Sequence, residues 1–259
     1  MNLKLIFLLI TIFPLFINAQ NMAEQDILIN CDPVTGLCEI PDYKGEKIET
    51  ILYDGETEII YVGDPMCSWC WGISPQLNAL KRYGKSVGVP FRLVMGGLRP
   101  GGGEAWNEEF KNFLKHHWEE VNKKSGQPFS MDLFDRKEFN YDTEPSCRAV
   151  VTVRKLSPDK TLPFYELVQH HFYVKNNDPN QVEFYQPICE KLNIDFKDFK
   201  EFFNSPEAIE LTKKDFAINR EWGIRGFPSV LVRKGTELHL IASGFASFEE
   251  LKKRVEEVR

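Results

Sequence analysis

The chain has 259 residues, 42% of them hydrophobic and 27% charged, and 32 Lys and Arg stand against 38 Asp and Glu for a formal charge of −6. This excludes collagen, long disorder and a miniprotein stapled by cross-links, because the apolar content is ordinary and only six cysteines are present. The acidic balance also argues against nucleic acid as a partner, since phosphate contacts need a basic face.

Residues 1–19 read as a secretory signal peptide. Lys4 gives a positive start, Leu5 to Ile17 is apolar apart from Thr11 and Pro14, and Ile17-Asn18-Ala19 resembles a cleavage site. The apolar run is too short for a helix across a hydrocarbon core of about 30 Å, so a stable membrane anchor is not expected. The expected location is exported, periplasmic or secreted, where all six cysteines meet an oxidising compartment. Residues 20–56 form an N-terminal arm of weakly ordered, turn-rich sequence that carries Cys31 and Cys38 around Asp-Pro-Val-Thr-Gly-Leu. That spacer closes readily, so a second disulfide is expected, either structural or a relay of electrons to and from the main redox pair.

The first core strand spans Thr57 to Val62, rich in β-branched residues and stopped by Gly63-Asp64-Pro65. Cys67-Ser68-Trp69-Cys70 follows, then a helical pattern through Leu77, Leu80 and Tyr83, and a second strand from Phe91 to Met95. The glycines at 96–97 and 101–103 mark a hinge and lack the Gly-Lys-Ser/Thr ending of a phosphate loop. Residues 104–223 read as helix after helix. Strands return at Ser229 to Arg233 and Glu237 to Ser243, and Phe248, Leu251, Val255 and Val258 give the last helix one apolar face.

A Cys-x-x-Cys opening a helix carries specific chemistry. The helix N-terminus presents unpaired N–H groups that favour the thiolate of Cys67, and the spacing lets Cys70 close a short, exchangeable disulfide. Half of a zinc site is the alternative, with Cys31 and Cys38 as the completing pair; no metal is expected. Cys147 and Cys189 fall in helices and read as small buried hydrophobes. His116-His117 and His170-His171 are sequence neighbours that diverge by about 100° on a helix and cannot chelate one ion.

Three runs, Asp64-Pro65-Met66-Cys67-Ser68-Trp69-Cys70-Trp71-Gly72, Glu144-Pro145-Ser146-Cys147-Arg148-Ala149-Val150 and Gly223-Ile224-Arg225-Gly226-Phe227-Pro228-Ser229, together resemble the DsbA-like thioredoxin family in its FrnE-type branch. The resemblance spans roughly 57–258. It implies an α/β protein, a thioredoxin fold with a large helical insertion between the second and third core strands: a first stretch of thioredoxin core at 57–103, the insertion at 104–223, and the rest of the core at 224–259. It implies a thiol-disulfide oxidoreductase or disulfide isomerase with Cys67 and Cys70 catalytic and no cofactor. Pro228 is then the family's cis-proline, and the backbone of Phe227 would hydrogen-bond an extended substrate chain beside Cys67.

Trp69, in what looks like an exposed dipeptide, would meet substrate. Asp64 is either a turn former before Pro65 or a proton acceptor for Cys70. Ser68-Trp69 offers no cation to the thiolate, so a milder oxidant is expected than one with histidine there. The expected partners are cysteine-containing proteins and an unidentified recycling partner. The alternatives are a non-redox thioredoxin-fold binding module and a kappa-transferase-like glutathione-dependent isomerase.

Overall fold

The computed structural model of the protein describes residues 30–40 and 57–259. The expected signal peptide at 1–19 and the arm residues 20–29 and 41–56 lie outside the described residues. In the portion of the arm that is described, Cys31–Asp32 (β1) and Leu37–Glu39 (β2) form a hairpin, and the expectation of a weakly ordered arm is corrected there. Asp32 makes the turn possible: its carboxylate accepts the N–H of Val34 at 2.7 Å, and its backbone oxygen accepts the N–H of Gly36 at 2.7 Å.

The main sheet has the order β4-β3-β6-β7. Its centre is β3 (Glu58–Gly63), parallel to β4 (Phe91–Met95) and antiparallel to β6 (Ser229–Lys234), which pairs in turn with β7 (Glu237–Ser243). Ile59, Ile60, Tyr61 and Val62 are all fully buried. Both faces of β3 are therefore covered, which is why its sequence is a continuous apolar run rather than an alternating one. Between β3 and β4 runs α1 (Ser68–Ser86), with Leu77 and Leu80 buried and Lys85 in its last turn. The C-terminal α8 (Phe248–Val258) starts with a reciprocal cap between Ser247 and Glu250 and buries Leu251 and Val255.

The insertion between β4 and β6 is helical, with α2 (Glu108–Ser125), α3 (Glu144–Leu156), α4 (Thr161–Tyr173), α5 (Gln186–Lys191), α6 (Phe196–Phe203) and α7 (Pro206–Glu221). Short 3-10 turns at Met131–Asp135, Pro158–Lys160 and Val182–Tyr185 join them. The turn at Val182–Tyr185 runs directly into α5 without continuing as one α-helix. Pro187 explains the break, since it lacks an N–H and is tolerated only at the start of α5.

Aromatic rings fill the insertion's interior. Trp118 is fully buried, with Phe134, Tyr173, Phe129 and Phe172 at centroid separations of 4.8, 5.1, 5.3 and 5.9 Å. Trp71 of α1 stacks on Tyr173 at 6.2 Å, which carries this aromatic core to the first turns of α1. A charged clamp joins the insertion to the sheet: Arg154 of α3 makes a bidentate pair with Asp215 of α7 at 2.7 and 2.8 Å. Asp215 also accepts the N–H of Met95, and Arg154 donates to the carbonyl of Leu93.

Candidate active site

Cys67 is the N-cap residue of α1, in extended conformation, at the point where β3 hands over to the helix. Its own N–H donates to the Asp64 carbonyl at 3.1 Å, and its carbonyl accepts the N–H of Trp71 at 3.1 Å. The thiol of Cys67 points at the carbonyl oxygen of Phe227, 3.8 Å away. The Phe227–Pro228 peptide bond is cis, and β5 (Gly226–Phe227) runs into β6 through that proline. The Ser229 hydroxyl donates to the Gly226 carbonyl at 2.8 Å and fastens this corner. The Phe227 ring packs against Gly96, whose missing side chain leaves the space it fills. Cys67, Cys70, Phe227 and Pro228, separated by more than 150 positions in the chain, thus share one corner of the molecule.

Cys67 and Cys70 are free thiols, both buried. Burial pushes the Cys67 thiol well above the ordinary cysteine value, and the adjoining Cys70 thiol acts in the same direction. Burial thus opposes the thiolate that the position at the helix N-terminus favours. The expectation of an exposed Trp69 is corrected, because it is only 1% exposed. Its ring lies under Gly36 of the hairpin, where a Cβ would sit 2.8 Å from it, and beside Phe245 at 6.1 Å. Gly36 has φ +67°, a conformation that glycine adopts without strain.

Asp64 is fully buried, and its carboxylate accepts the N–H of Met66 at 2.8 Å, the N–H of Leu98 at 2.7 Å and the Cys147 thiol at 3.4 Å. Burial raises its pKa while the two backbone donors hold it down. The carboxylate therefore ties the loop before Cys67 to the segment after β4. Cys147 is buried, and burial together with Asp64 pushes its thiol well above the ordinary range.

The hydroxyls of Tyr61 and Tyr165 are close enough to the Cys70 thiol to interact with it. Tyr61 and Tyr165 share a hydroxyl contact of 3.2 Å, Tyr165 donates to the Asp64 carbonyl at 3.1 Å, and Tyr141 donates to the Met66 carbonyl at 2.7 Å. Burial raises the pKa of Tyr61 and Tyr165 well above the tyrosine value, so both stay protonated donors. Sequence reasoning missed these three tyrosines. Tyr61 and Tyr165 sit in apolar runs that read as core, Tyr141 lies between Asn140 and Asp142 in a connecting segment, and only the fold shows where each hydroxyl goes.

Cys31 and Cys38 face each other across the hairpin and are joined by a disulfide. Their sulfurs bond to one another and do not complete a ligand set with Cys67 and Cys70. The hairpin docks on the site corner: Cys38 is registered opposite Phe227 and Glu39 opposite Gly226, in a second sheet of order β1-β2-β5.

A sequence profile of the family described as "Thioredoxin" matches residues 60–253. Among solved structures, a Nitrosomonas europaea protein described as a candidate protein disulfide isomerase is 32% identical, with a TM-score of 0.72, over 78% of this chain and 97% of that one. The cytosolic disulfide reductase DsbM of Pseudomonas aeruginosa shares the fold at 21% identity and a TM-score of 0.62, over 78% of this chain and 97% of that one. A curated relative, the ClpXP adapter protein SpxH of Bacillus subtilis (strain 168), is 22% identical over 176 residues, which are 67% of this chain and 57% of that protein. This chain therefore spans less than two thirds of that relative's length. With a DsbA-like helical insertion and the Cys67–Cys70 dithiol at the start of α1, the chain belongs to the thioredoxin family.

Proposed function

We propose that the protein is an exported enzyme that forms, reduces or reshuffles disulfides in cysteine-containing protein substrates through Cys67 and Cys70, as expected of the FrnE-type branch. The observation that carries this reading is the placement of the Cys67 thiol at the helix start, 3.8 Å from the Phe227 carbonyl beside Pro228. There an extended chain pairing with the Phe227 backbone brings its own sulfur to Cys67. In the oxidising direction a substrate thiolate attacks the Cys67 sulfur of the Cys67–Cys70 disulfide, and the electron pair leaves on Cys70. A second substrate thiolate attacks the substrate sulfur of the mixed disulfide and releases Cys67. In the reducing or reshuffling direction the Cys67 thiolate attacks a substrate disulfide, and Cys70 resolves the intermediate. The hydroxyl of Tyr61, which gives its proton to Tyr165 while Tyr165 donates to the Asp64 carbonyl, would turn from Tyr165 to donate to the Cys70 thiolate when that is the leaving group. Asp64 and Tyr141 act as positioning residues that fix the loop ahead of Cys67.

Export is supported by the apolar leader sequence and by the disulfide in the arm, which suits an oxidising compartment. The test replaces Cys70 with Ala and searches an extracytoplasmic extract for proteins covalently held on Cys67. Trapped substrates, together with activity of the unaltered enzyme on reduced or scrambled ribonuclease, are the expected result. No trapped species and no activity overturn the reading, and fractionation that leaves the full-length chain in the cytosol overturns the claim of export.

A further inference from the structure

Strand β2 lies where the reading above seats a substrate. It pairs antiparallel with Gly226–Phe227, and Cys38 stands opposite Phe227, the residue whose carbonyl faces the Cys67 thiol. Cross-strand partners in an antiparallel ladder have Cα atoms about 5 Å apart. The hairpin is held by further backbone contacts, from the Ile40 N–H to the Arg225 carbonyl at 2.9 Å and from the Phe245 N–H to the Thr35 carbonyl at 2.9 Å. Gly36 closes over Trp69, and the Trp69 Nε1–H is buried without an acceptor. The segment that covers it carries a disulfide, Cys31–Cys38.

We propose that residues 30–40 are a self-presented strand occupying the substrate edge, and that their Cys31–Cys38 disulfide is an internal redox partner with which the Cys67–Cys70 dithiol exchanges. The proposal rests on the function proposed above. As the hairpin shifts on its seat, Cys67 loses its proton to water and its sulfur attacks Cys38, the hairpin cysteine whose strand adjoins β5. The Cys67–Cys38 bond forms, the Cys31–Cys38 bond breaks, and the electron pair leaves on Cys31, which takes up a proton. The Cys70 thiolate then attacks Cys67, forming Cys67–Cys70 and releasing Cys38. Two electrons and two protons pass from the active-site pair to the hairpin pair, with no external oxidant. The reverse sequence returns them, so an outside redox partner can reach the active site through the hairpin.

The experiment uses the full chain with Cys70→Ala, its hairpin disulfide intact, incubated at pH 8, quenched in acid, alkylated and mapped by mass spectrometry without reduction. The expected product is a monomer in which Cys67 is joined to the hairpin peptide and one hairpin cysteine is newly alkylated. Cys67 found alkylated beside an intact Cys31–Cys38 bond overturns the proposal. Offering the same variant scrambled ribonuclease separates the two readings. Capture of ribonuclease with the hairpin untouched leaves the oxidoreductase standing and removes only the relay, whereas capture of neither removes both. The unaltered chain gives an independent answer after full reduction and one equivalent of diamide. Its two singly oxidised forms relax to a ratio that does not depend on dilution, and a ratio frozen at its first value overturns the relay.

Discussion

Cys70 looks inward onto side chains contributed by separate elements: the Tyr61 hydroxyl from β3, backed by Tyr165 from α4, with the Asp64 loop pinned by Leu98 and Cys147. Cys67 looks outward onto backbone, first the Phe227 carbonyl and then a hairpin seated by a short ladder, flanking backbone hydrogen bonds and the contact of Gly36 with Trp69. The inner flank is interlocked and cannot separate without disturbing the aromatic core behind it. The outer flank is expected to open at lower cost, because local openings that break few apolar contacts lie far below global unfolding in free energy. One dithiol is thereby set between a rigid wall and a removable cover.

The largest effect is expected from breaking the rigid wall. Trp118→Ala empties a fully buried site among Phe129, Phe134, Phe172 and Tyr173, and should cost about 3–5 kcal/mol in denaturant unfolding. A cost below about 1 kcal/mol would mean that the inner flank is loose. Loosening the cover should act differently. Gly36→Val places a branched side chain at φ +67° and against the Trp69 ring, so the hairpin seat should weaken by about 1–2 kcal/mol. Alkylation of Cys67 should then speed up roughly tenfold while global unfolding barely moves. If global stability falls by as much as the seat, the two flanks are one cooperative unit.

Tyr61→Phe removes a hydroxyl close to Cys70 and should cost about 1 kcal/mol of stability, since Tyr165 keeps its bond to the Asp64 carbonyl. Its distinguishing readout is slower release of mixed disulfides by Cys70 at unchanged rates of their formation, measured by stopped quench.

The smallest effect concerns Glu166 of α4, whose carboxylate accepts from Asn78 of α1 and whose pKa is raised by burial to about 7 from 4.5. Because the folded state keeps this proton longer than the unfolded state, stability declines as pH rises from about 4.5 to 7 and is level above that. Glu166→Gln should therefore stabilise the protein at pH 8 by about 1 kcal/mol, after allowance for partial solvent screening, and leave it unchanged at pH 4.5. Equal stability at both pH values would show that Glu166 ionises freely in the fold.

Much of this arrangement was legible in the amino-acid order because it is local. The apolar run of β3 and the apolar stripe of α8 depend on neighbours within a few residues. The dithiol was legible for the same reason, as was the Asp64–Met66 turn. The cover was not. β5 is only two residues long, and its pairing with Leu37–Glu39 joins segments nearly 190 positions apart, so no periodicity announces it. The burial of Ser68-Trp69 follows from that non-local cover, which is why the dipeptide looked exposed. Likewise the second backbone donor to Asp64, from Leu98, arrives from a glycine-rich stretch whose own sequence says only that the chain turns there.

The seat of Trp69 has one more consequence. An indole that is 1% exposed, edge-on to Phe245 and roofed by Gly36, emits from a dry environment, and lifting the roof admits water to its ring and to its unpaired N–H. The protein thus carries an optical gauge inside its own Cys-x-x-Cys, one whose colour reports whether the nucleophile beside it is covered or open to a visitor.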